Sequence, residues 1–418
     1  MFRGGAIFSV PKSFAMTLPL KSLKSFFPIF SHRPELVYLD SAATSQKPQT
    51  VVRAITDFYE KENANVHRGL YELSVHATQR YEGVRNKVIS LIGASNPKTI
   101  AFTKGATESI NIVAHGYLKK NLKKGDNVLI SAMEHHSNLI PWQQVCEETG
   151  ATLEVIPVDE NGELVLKGLR TQLNHRTRLV AITHISNVLG TINPVEEIIA
   201  AAHKKGIPVL IDGAQSVGHY PIDVKKWDAD FLVFSAHKMF GPLGTGVLYC
   251  KEEVAPQISP LNYGGGGIRN VEFSNTAFLD YPHNLEAGTA NIAGVIGLGA
   301  AIDFIQQLDM NETTRYTREL STYFLEGLRS LGNARRVGNP KNSGSIISFQ
   351  IGSIHPHDVA GFLAASDIAV RAGHHCAQPL LESIGVPATV RVSFSIYNTQ
   401  DDVYKTIAAL VELKKFWS

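Results

Sequence analysis

Short apolar runs alternate with longer amphipathic segments along the first two thirds of the chain. The runs TIAF, NVLIS, LEVIP, LVAIT, VLID, FLVFS and GVLYC begin at residues 99, 127, 153, 179, 209, 231 and 246. Segments of helical length lie between most of them, at about 108–122, 141–149 and 195–205. Continuous β-rich runs separated by helices indicate strands that are buried on both faces. We therefore predict an α/β fold with a mainly parallel seven-stranded sheet.

The pattern changes after residue 278. A helical stretch at about 294–331 is followed by the strand-like run SIISFQI, a helix near 358–365, and the runs IAVRAG and TVRVSFSIYNT. This mixture predicts a smaller α+β domain. Because 418 residues exceed what one core usually supports, we expect two domains. We assign 1–33 to an N-terminal extension with a segment that packs on the small domain, 34–298 to a large domain and 299–418 to the small domain.

Composition and charge argue against several classes of protein. A net charge of +2 disfavours a nucleic-acid-binding surface, and the longest weakly polar run, 292–302, is shorter than the roughly 18 to 20 residues of a membrane span. Three cysteines are too few for a disulfide framework. The first 34 residues contain no acidic residue, a composition shared with transit peptides. We expect a cytoplasmic protein, with a plastid or other organelle as the alternative and with Met1 or Met16 as the start.

Two predicted strand ends carry a carboxylate and an amine. Asp212 ends the run VLID, and Lys238 follows the run FLVFS in a glycine-rich turn. Functional groups gather at the carboxyl ends of parallel strands. A desolvated lysine can form an imine with an aldehyde, and a buried carboxylate can keep a pyridine nitrogen protonated. For this pair alone, a surface lysine and a capping aspartate would be the better explanation.

Three further strand ends carry polar groups of matching kinds. Ala106 and Thr107 begin a helix directly after a strand, where backbone N–H groups and the helix dipole favour a phosphate. His135 and His136 follow another strand, where an imidazole can stack on a flat ring or bind a metal. Asn187 follows a fifth strand. Five such strand ends together predict one site.

The segment RAGHHCAQPL, residues 371–380, places two histidines beside Cys376. It could be half of a zinc site, a nucleophile with its base, or an exposed loop. A second cluster of cysteines with ligand spacing is missing from the sequence, which disfavours zinc. Cys146 lies in a predicted helix and Cys250 ends a predicted strand, so we expect both to be packed rather than reactive.

Motifs along most of the chain resemble a known enzyme family. The runs YLDSAAT, NVHRGLYELS, MEHHSN, SNVLGT, DGAQ, SAHKMFGPLGTGVLY and LEAGTAN resemble the class V branch of fold-type I pyridoxal-phosphate enzymes. RAGHHCAQPL followed by VRVSFSIYNT resembles the SufS-type (group II) cysteine desulfurases. The resemblance extends from about residue 26 to the carboxyl terminus. One departure is Ala372, where the family commonly has threonine.

The resemblance implies a role for each residue of the site. Lys238 would bind pyridoxal 5'-phosphate covalently and move protons, Asp212 would pair with the pyridine nitrogen, and His135 would stack on the ring. Gln215 would contact the ring hydroxyl. The implied phosphate ligands are Ala106, Thr107, Ser235, His237 and, donated by the neighbouring subunit of a homodimer, Thr289. The implied substrate ligands are Asn187 and Arg391 for the carboxylate, with Arg371 and His67 lining the pocket.

The activity that the resemblance implies is conversion of L-cysteine to L-alanine with a persulfide on Cys376. Arg371 and, if charged, His374 or His375 would favour the thiolate. The sulfur would pass to a SufE- or SufU-like acceptor protein for iron–sulfur cluster assembly. A selenocysteine lyase acting on L-selenocysteine and a cysteine sulfinate desulfinase are alternatives of the same fold. A non-catalytic scaffold is disfavoured because Lys238, Asp212 and Cys376 are all present.

Overall fold

The computed structural model describes residues 20–417, so the predictions about the start of the chain and about residues 1–19 lie outside the described residues. The strands are β1 (Val37–Tyr38), β2 (Ile100–Thr103), β3 (Asn127–Ser131), β4 (Thr152–Ile156), β5 (Thr177–Thr183), β6 (Val209–Asp212), β7 (Phe231–Ser235), β8 (Gly246–Cys250), β9 (Ile268–Val271), β10 (Thr276–Phe278), β11 (Ala334–Arg336), β12 (Ile346–Ile351), β13 (Ile368–Ala369), β14 (Arg371–Gly373) and β15 (Thr389–Ser393). The α-helices are α1 (Ile29–His32), α2 (Gln49–Asp57), α3 (Glu72–Ile92), α4 (Ala106–Asn111), α5 (Ile140–Thr149), α6 (Leu169–Gln172), α7 (Val195–His203), α8 (Val224–Trp227), α9 (Ile292–Gln306), α10 (Met310–Ser330), α11 (Pro356–Ala364), α12 (Gln378–Ser383) and α13 (Gln400–Trp417).

A seven-stranded sheet forms the centre of the larger part of the molecule. Its strand order is β2-β8-β7-β6-β5-β3-β4; β8 pairs antiparallel with both β2 and β7, and all other neighbouring strands pair in parallel. Every residue of β3, β6, β7 and β8 is buried, as expected for strands that are covered on both faces. The predicted α/β fold and all seven predicted strands are confirmed.

The register of the parallel strands brings polar strand ends to one edge of this sheet. Thr183 at the end of β5 lies opposite Asp212 at the end of β6, and Asp212 lies opposite Val233 of β7, two residues before Ser235. The loops that follow these strands therefore start side by side. This edge is where a site is expected in an open α/β sheet.

A second, antiparallel sheet has the order β11-β12-β15-β14 and its own apolar core around Phe324 and Phe349. Its strands β14 and β15 place Arg371 opposite Arg391. The helical stretch predicted at 294–331 is two helices, because Asp309 breaks it by accepting the N–H groups of Asn311 and Glu312 at the start of α10.

The helix α9 runs across the predicted domain boundary at 298 and 299, and its apolar residues pack in the core of the large sheet. The N-terminal segment contacts both parts of the molecule. The ring of Phe27 lies 5.8 Å from Phe240 and 4.9 Å from Tyr397, and β1 pairs in parallel with β13 of the smaller part. The predicted domain limits stay predictions.

Within residues 20–417, no single helix has both the length and the apolar character needed to cross a membrane; α9 and α10 meet those criteria only as a pair, with a bend of 85° between them.

Candidate active site

A cavity of about 270 Å³ lies at the carboxyl edge of the large sheet, between that sheet and the small sheet. It contains all of the predicted site residues except two. The residues that line it are Ala42, Ala43, Ala106, Thr107, His135, Ser137, Thr183, Asn187, Asp212, Ala214, Gln215, Ser235, His237, Lys238, Arg371, His375, Cys376 and Arg391. The structure therefore gathers side chains from strand ends and from the cysteine loop into one place.

The two exceptions, His67 and Thr289, line a different cavity of about 520 Å³. Thr289 is exposed, and the ring of His67 contacts the carboxylate of Glu82 at 3.0 Å. Within one chain these residues do not reach the cavity that contains Lys238. The predicted role of Thr289 requires a second copy of the chain, so both roles stay predictions.

The backbone on each side of Lys238 is held by hydrogen bonds. The carbonyl of His237 accepts several donors from residues 44–47, at 2.9 to 3.1 Å, and the carbonyl of Lys238 accepts Nε2 of His219 at 2.7 Å. Burial lowers the pKa of the Lys238 amine, against the attraction of Asp212. A fixed turn and a desolvated amine are what a lysine needs in order to act as a nucleophile towards a carbonyl group.

Asp212 lies buried at the end of β6, close to Lys238. Its Oδ1 accepts the backbone N–H of Ala214 at 2.9 Å, and burial raises the pKa of this carboxyl. Gln215, three residues on, donates Nε2 to the carbonyl of Ala42 at 2.8 Å. A carboxylate in such surroundings is stabilised when it pairs with a cationic N–H group.

His135 presents a half-buried neutral ring to the cavity. Burial lowers its pKa to about 3, and its Nδ1 accepts the N–H of Ser137 at 3.1 Å. The preceding Glu134 fixes this turn from behind, since its carboxylate accepts the N–H of Thr183 at 2.9 Å and Nδ2 of Asn138 at 2.6 Å. A neutral imidazole held in this way offers a flat apolar face.

One corner of the cavity is lined by donors suited to a phosphate. The N–H of Ala106 lies 2.8 Å from Oγ of Ser235, and the hydroxyl of Thr107 lies beside it at the start of α4. Burial lowers the pKa of His237 to about 4, and its buried Nδ1 has no hydrogen-bond partner among the described residues. An anion at this corner would supply a partner for Nδ1 of His237 and further acceptors for the N–H of Ala106 and the hydroxyl of Thr107.

The loop that carries Cys376 is fixed by the large sheet although it belongs to the smaller part. The carbonyl of His375 accepts Nδ2 of Asn187 at 2.7 Å, and the carbonyl of Cys376 accepts the N–H of His136 at 2.7 Å. His375 and Cys376 both have left-handed backbone angles, with φ of 54° and 55°. The thiol of Cys376 is exposed to the cavity, whereas Cys146 and Cys250 are buried, as predicted.

The positive charge beside Cys376 does not come from His375. The ring of His375 is buried and shares a hydrogen bond of 2.8 Å with Oγ1 of Thr389. Burial, together with the charge of Arg391, lowers the pKa of this ring to about 3. A ring in this environment is neutral, so the condition under which His375 would favour the thiolate, a charged ring, is not met; the same expectation for His374 stays a prediction. The guanidiniums that interact with the thiol are those of Arg391 and the predicted Arg371, and the amine of Lys238 interacts with it as well.

Two arginines share one carboxylate at the wall of the cavity. Arg391 is buried; it donates to the carbonyl of Asn187 and to Oδ1 of Asp40, each at 3.0 Å. Its Nε has no hydrogen-bond partner among the described residues. Arg371 donates Nε and Nη2 to Asp40, with the shortest distance 2.9 Å. This arrangement leaves a guanidinium with capacity to bind a carboxylate.

Sequence reasoning missed Asp40 and Glu134 as parts of the site, and it noted His136 only as an imidazole beside His135, not as the residue whose N–H holds the cysteine loop. Asp40 lies in the run YLDSAAT, and the other two lie in MEHHSN, so the family motifs carried the signal without giving a role to these positions. Across residues 20–417, no group of three histidine, cysteine or acidic side chains is placed to hold a metal ion.

The cavity fits pyridoxal phosphate. The corner around His237 matches a phosphate, Asp212 matches a protonated pyridine nitrogen, the flat face of His135 matches an aromatic ring, and Lys238 matches an aldehyde carbon.

Comparison with known proteins agrees with this geometry. The aminotransferase class-V family model matches residues 37–405. A probable cysteine desulfurase of Halalkalibacterium halodurans is 46% identical over 398 residues, which cover 94% of this chain and 98% of the relative. The solved cysteine desulfurase CsdA (S-sulfonic acid) from Escherichia coli has a TM-score of 0.90 at 38% identity and covers 96% of this chain and 99% of its own. The apo cysteine desulfurase from Thermococcus onnurineus NA1 has a TM-score of 0.90 at 39% identity, with coverage of 94% and 98%.

These matches confirm the predicted fold type, the dependence on pyridoxal phosphate and the predicted enzyme family, while the SufS-type subgroup stays a prediction. The chain belongs to the class-V aminotransferase family and, within it, to the cysteine desulfurases.

Proposed function

We propose that the protein takes sulfur from L-cysteine, releases L-alanine and passes the sulfur from Cys376 to a SufE- or SufU-like acceptor protein for iron–sulfur cluster assembly. The observation that carries this proposal is the position of Cys376. Its exposed thiol lines the same cavity as the amine of Lys238 and the buried guanidinium of Arg391. A nucleophile, a base and a carboxylate-binding group are therefore available to one small amino acid.

Substrate binding is assigned to Arg391 and Asn187. Arg391 has an unpartnered Nε in a buried position, and a substrate carboxylate would satisfy it with a two-pronged contact. Asn187 uses one of the two hydrogens of its amide for the carbonyl of His375, which leaves the other for the same carboxylate.

The chemical steps divide between Lys238 and Cys376. Pyridoxal phosphate supplies an electron sink for charge that develops at the substrate Cα. Lys238, with its pKa lowered by burial, takes and returns protons at that carbon. The thiolate of Cys376 attacks the substrate sulfur, a sulfur–sulfur bond forms and the carbon–sulfur bond breaks. The electron pair of the broken carbon–sulfur bond stays with the carbon, which then gains a proton. Cysteine and a thiol thereby become alanine and a persulfide.

A homodimer would complete the phosphate corner. Thr289 lies outside the cavity of its own chain, and Leu243, with 69% of its surface exposed, lines a neighbouring cavity that shares Thr107, Ser235 and His237 with the active site. In the dimer, Thr289 of one copy would reach the phosphate corner of the other, and His67 would accompany it because both line one cavity. Sedimentation velocity at micromolar concentration tests this, since a monomer would refute it. The cytoplasmic location stays a prediction.

The experiment that tests the proposed function measures alanine released from L-cysteine by the wild type and by Cys376→Ala. We expect release by the wild type, almost none from the variant, and a mass increase of one sulfur atom on Cys376 of the wild type. Cys146→Ala is the matched control, because this thiol is buried away from the cavity and its loss should leave turnover intact. Equal release by Cys376→Ala would refute the nucleophile. Turnover of L-selenocysteine alone would favour the lyase.

A further inference from the structure

We propose that Asp40 is a positioning residue that sets the net charge of the substrate pocket and so favours a substrate with one anionic group over a substrate with two. This inference rests on the proposed function, because it concerns the pocket in which Arg391 binds a substrate carboxylate. The motif that contains Asp40 gave no role to its side chain.

The contacts of Asp40 place it between the two arginines of the pocket. Its Oδ1 lies 3.0 Å from Nη2 of Arg391, and its Oδ2 lies 2.9 Å from Nη2 of Arg371. The side chains of Asp40 and Arg391 are 15% and 3% exposed. Water therefore screens this pair less than it screens an exposed pair, so the charge of Asp40 contributes to the electrostatic potential of the pocket.

The backbone on both sides of Asp40 holds this carboxylate in place. The chain forms a parallel bridge between Asp40 and Ser393, two residues after Arg391, and the N–H of Ser393 donates to the carbonyl of Leu39 at 2.8 Å. Two residues after Asp40, the N–H of Ala42 donates to Oγ of Ser393. Asp40 and Arg391 are thus fixed to each other through the small sheet, and movement of one would move the other.

The charges of the pocket explain the expected selectivity. Two guanidiniums and one carboxylate leave a single positive charge at this wall, which matches the single carboxylate of L-cysteine. L-Cysteine sulfinate carries a second anionic group on its side chain. Removal of the charge of Asp40 would leave two positive charges here, and this favours the substrate with the additional anion.

The test compares the kcat/KM values for L-cysteine sulfinate and L-cysteine in the holoenzyme. For Asp40→Asn, which keeps the shape of the side chain, we expect the ratio of sulfinate to cysteine to rise about tenfold, since roughly 1.4 kcal/mol corresponds to a factor of ten. For Arg371→Gln, which removes a positive charge from a half-exposed side chain, we expect the ratio to fall. Asp40→Glu should keep a ratio close to that of the wild type.

The matched control is Asp367→Asn, which also removes the carboxylate of an aspartate–arginine pair, the exposed contact with Arg33 at 2.9 Å. It should leave the ratio unchanged. Because Asp40→Asn could fail to fold, the Arg371→Gln ratio supplies the same test. A ratio that is unchanged in both pocket variants would overturn the inference. A wild type that releases no alanine from L-cysteine would instead refute the proposed function.

Discussion

The adjacent residues His374 and His375 give a sharp test of the electrostatics of the cysteine loop. His374 is exposed, whereas His375 is only 7% exposed and its ring is hydrogen-bonded to Thr389. Burial lowers the pKa of His375 from 6.5 to about 3. Below about pH 6.5, the pKa of this histidine in the unfolded chain, the unfolded chain binds a proton at His375 that the folded chain does not bind. The stability that depends on neutral His375 is therefore complete above about pH 6.5 and falls as the pH is lowered towards 3.

The magnitude of this loss follows from the two pKa values. At pH 5 the unfolded histidine is almost fully protonated and His375 of the folded chain is neutral, so linkage gives a loss of about 2 kcal/mol in the free energy of unfolding relative to pH 7.5. The variant His375→Gln removes the titrating group and can keep a hydrogen bond to Thr389. We expect its stability to fall about 2 kcal/mol less than that of the wild type over this range.

The assay is urea unfolding of the holoenzyme, followed by tryptophan fluorescence at pH 7.5 and pH 5.0. Effects of the substitution that do not depend on pH cancel in the difference between the two conditions. His374→Gln is the control, and it should lose as much stability as the wild type. If His375→Gln and the wild type lose equal stability, His375 is protonated in the folded chain, and the assignment of the positive charge to arginine and lysine alone is incorrect.

Two further predictions concern the frame of the site. Phe27→Ala should lower the free energy of unfolding by about 3–5 kcal/mol, because the fully buried ring of Phe27 packs on the aromatic cluster under the Lys238 turn. The control is Phe273→Ala, at a fully exposed ring. In the same urea titration it should change the free energy of unfolding by less than about 0.5 kcal/mol. In Gly246→Ala the new Cβ would collide with the backbone of Gly105, directly before the phosphate corner, so we expect fluorescence titration to show about tenfold weaker binding of pyridoxal phosphate. Gly83→Ala, where a Cβ meets open space on α3, should leave that affinity unchanged.

The large sheet could be predicted from the sequence because its signal is local. Each buried strand is a continuous apolar run, and the polar residues of the site lie at its end or just beyond it, as with Asp212, the last residue of β6, and Lys238, shortly after β7. The parallel register then brings these ends together without further information from the chain. The break between α9 and α10 also has a local signal, because Asp309 caps the start of α10. The apolar pattern continues on both sides of Asp309, so the pattern predicted one helix instead of two.

The remaining features depend on contacts between distant parts of the chain. Asp40 contacts Arg371 and Arg391 across 331 and 351 residues, and no periodicity in the sequence predicts such a pairing. His374 and His375 are equivalent in the sequence. Their different environments follow from a left-handed backbone at His375, which turns one ring into the core and leaves the other outside.

The hydrogen bonds of Asn187 and Arg391 link the substrate pocket to the position of the nucleophile. Asn187 donates to the carbonyl of His375, next to Cys376, and its own carbonyl accepts Nη1 of Arg391. A substrate carboxylate bound by these two side chains would therefore contact the same residues that hold the cysteine loop. Because Arg391 belongs to the small sheet and Asn187 follows a strand of the large one, the loop keeps its position only while the two sheets keep theirs. The geometry that presents the thiol thus depends on the contact between the sheets as much as on the loop itself.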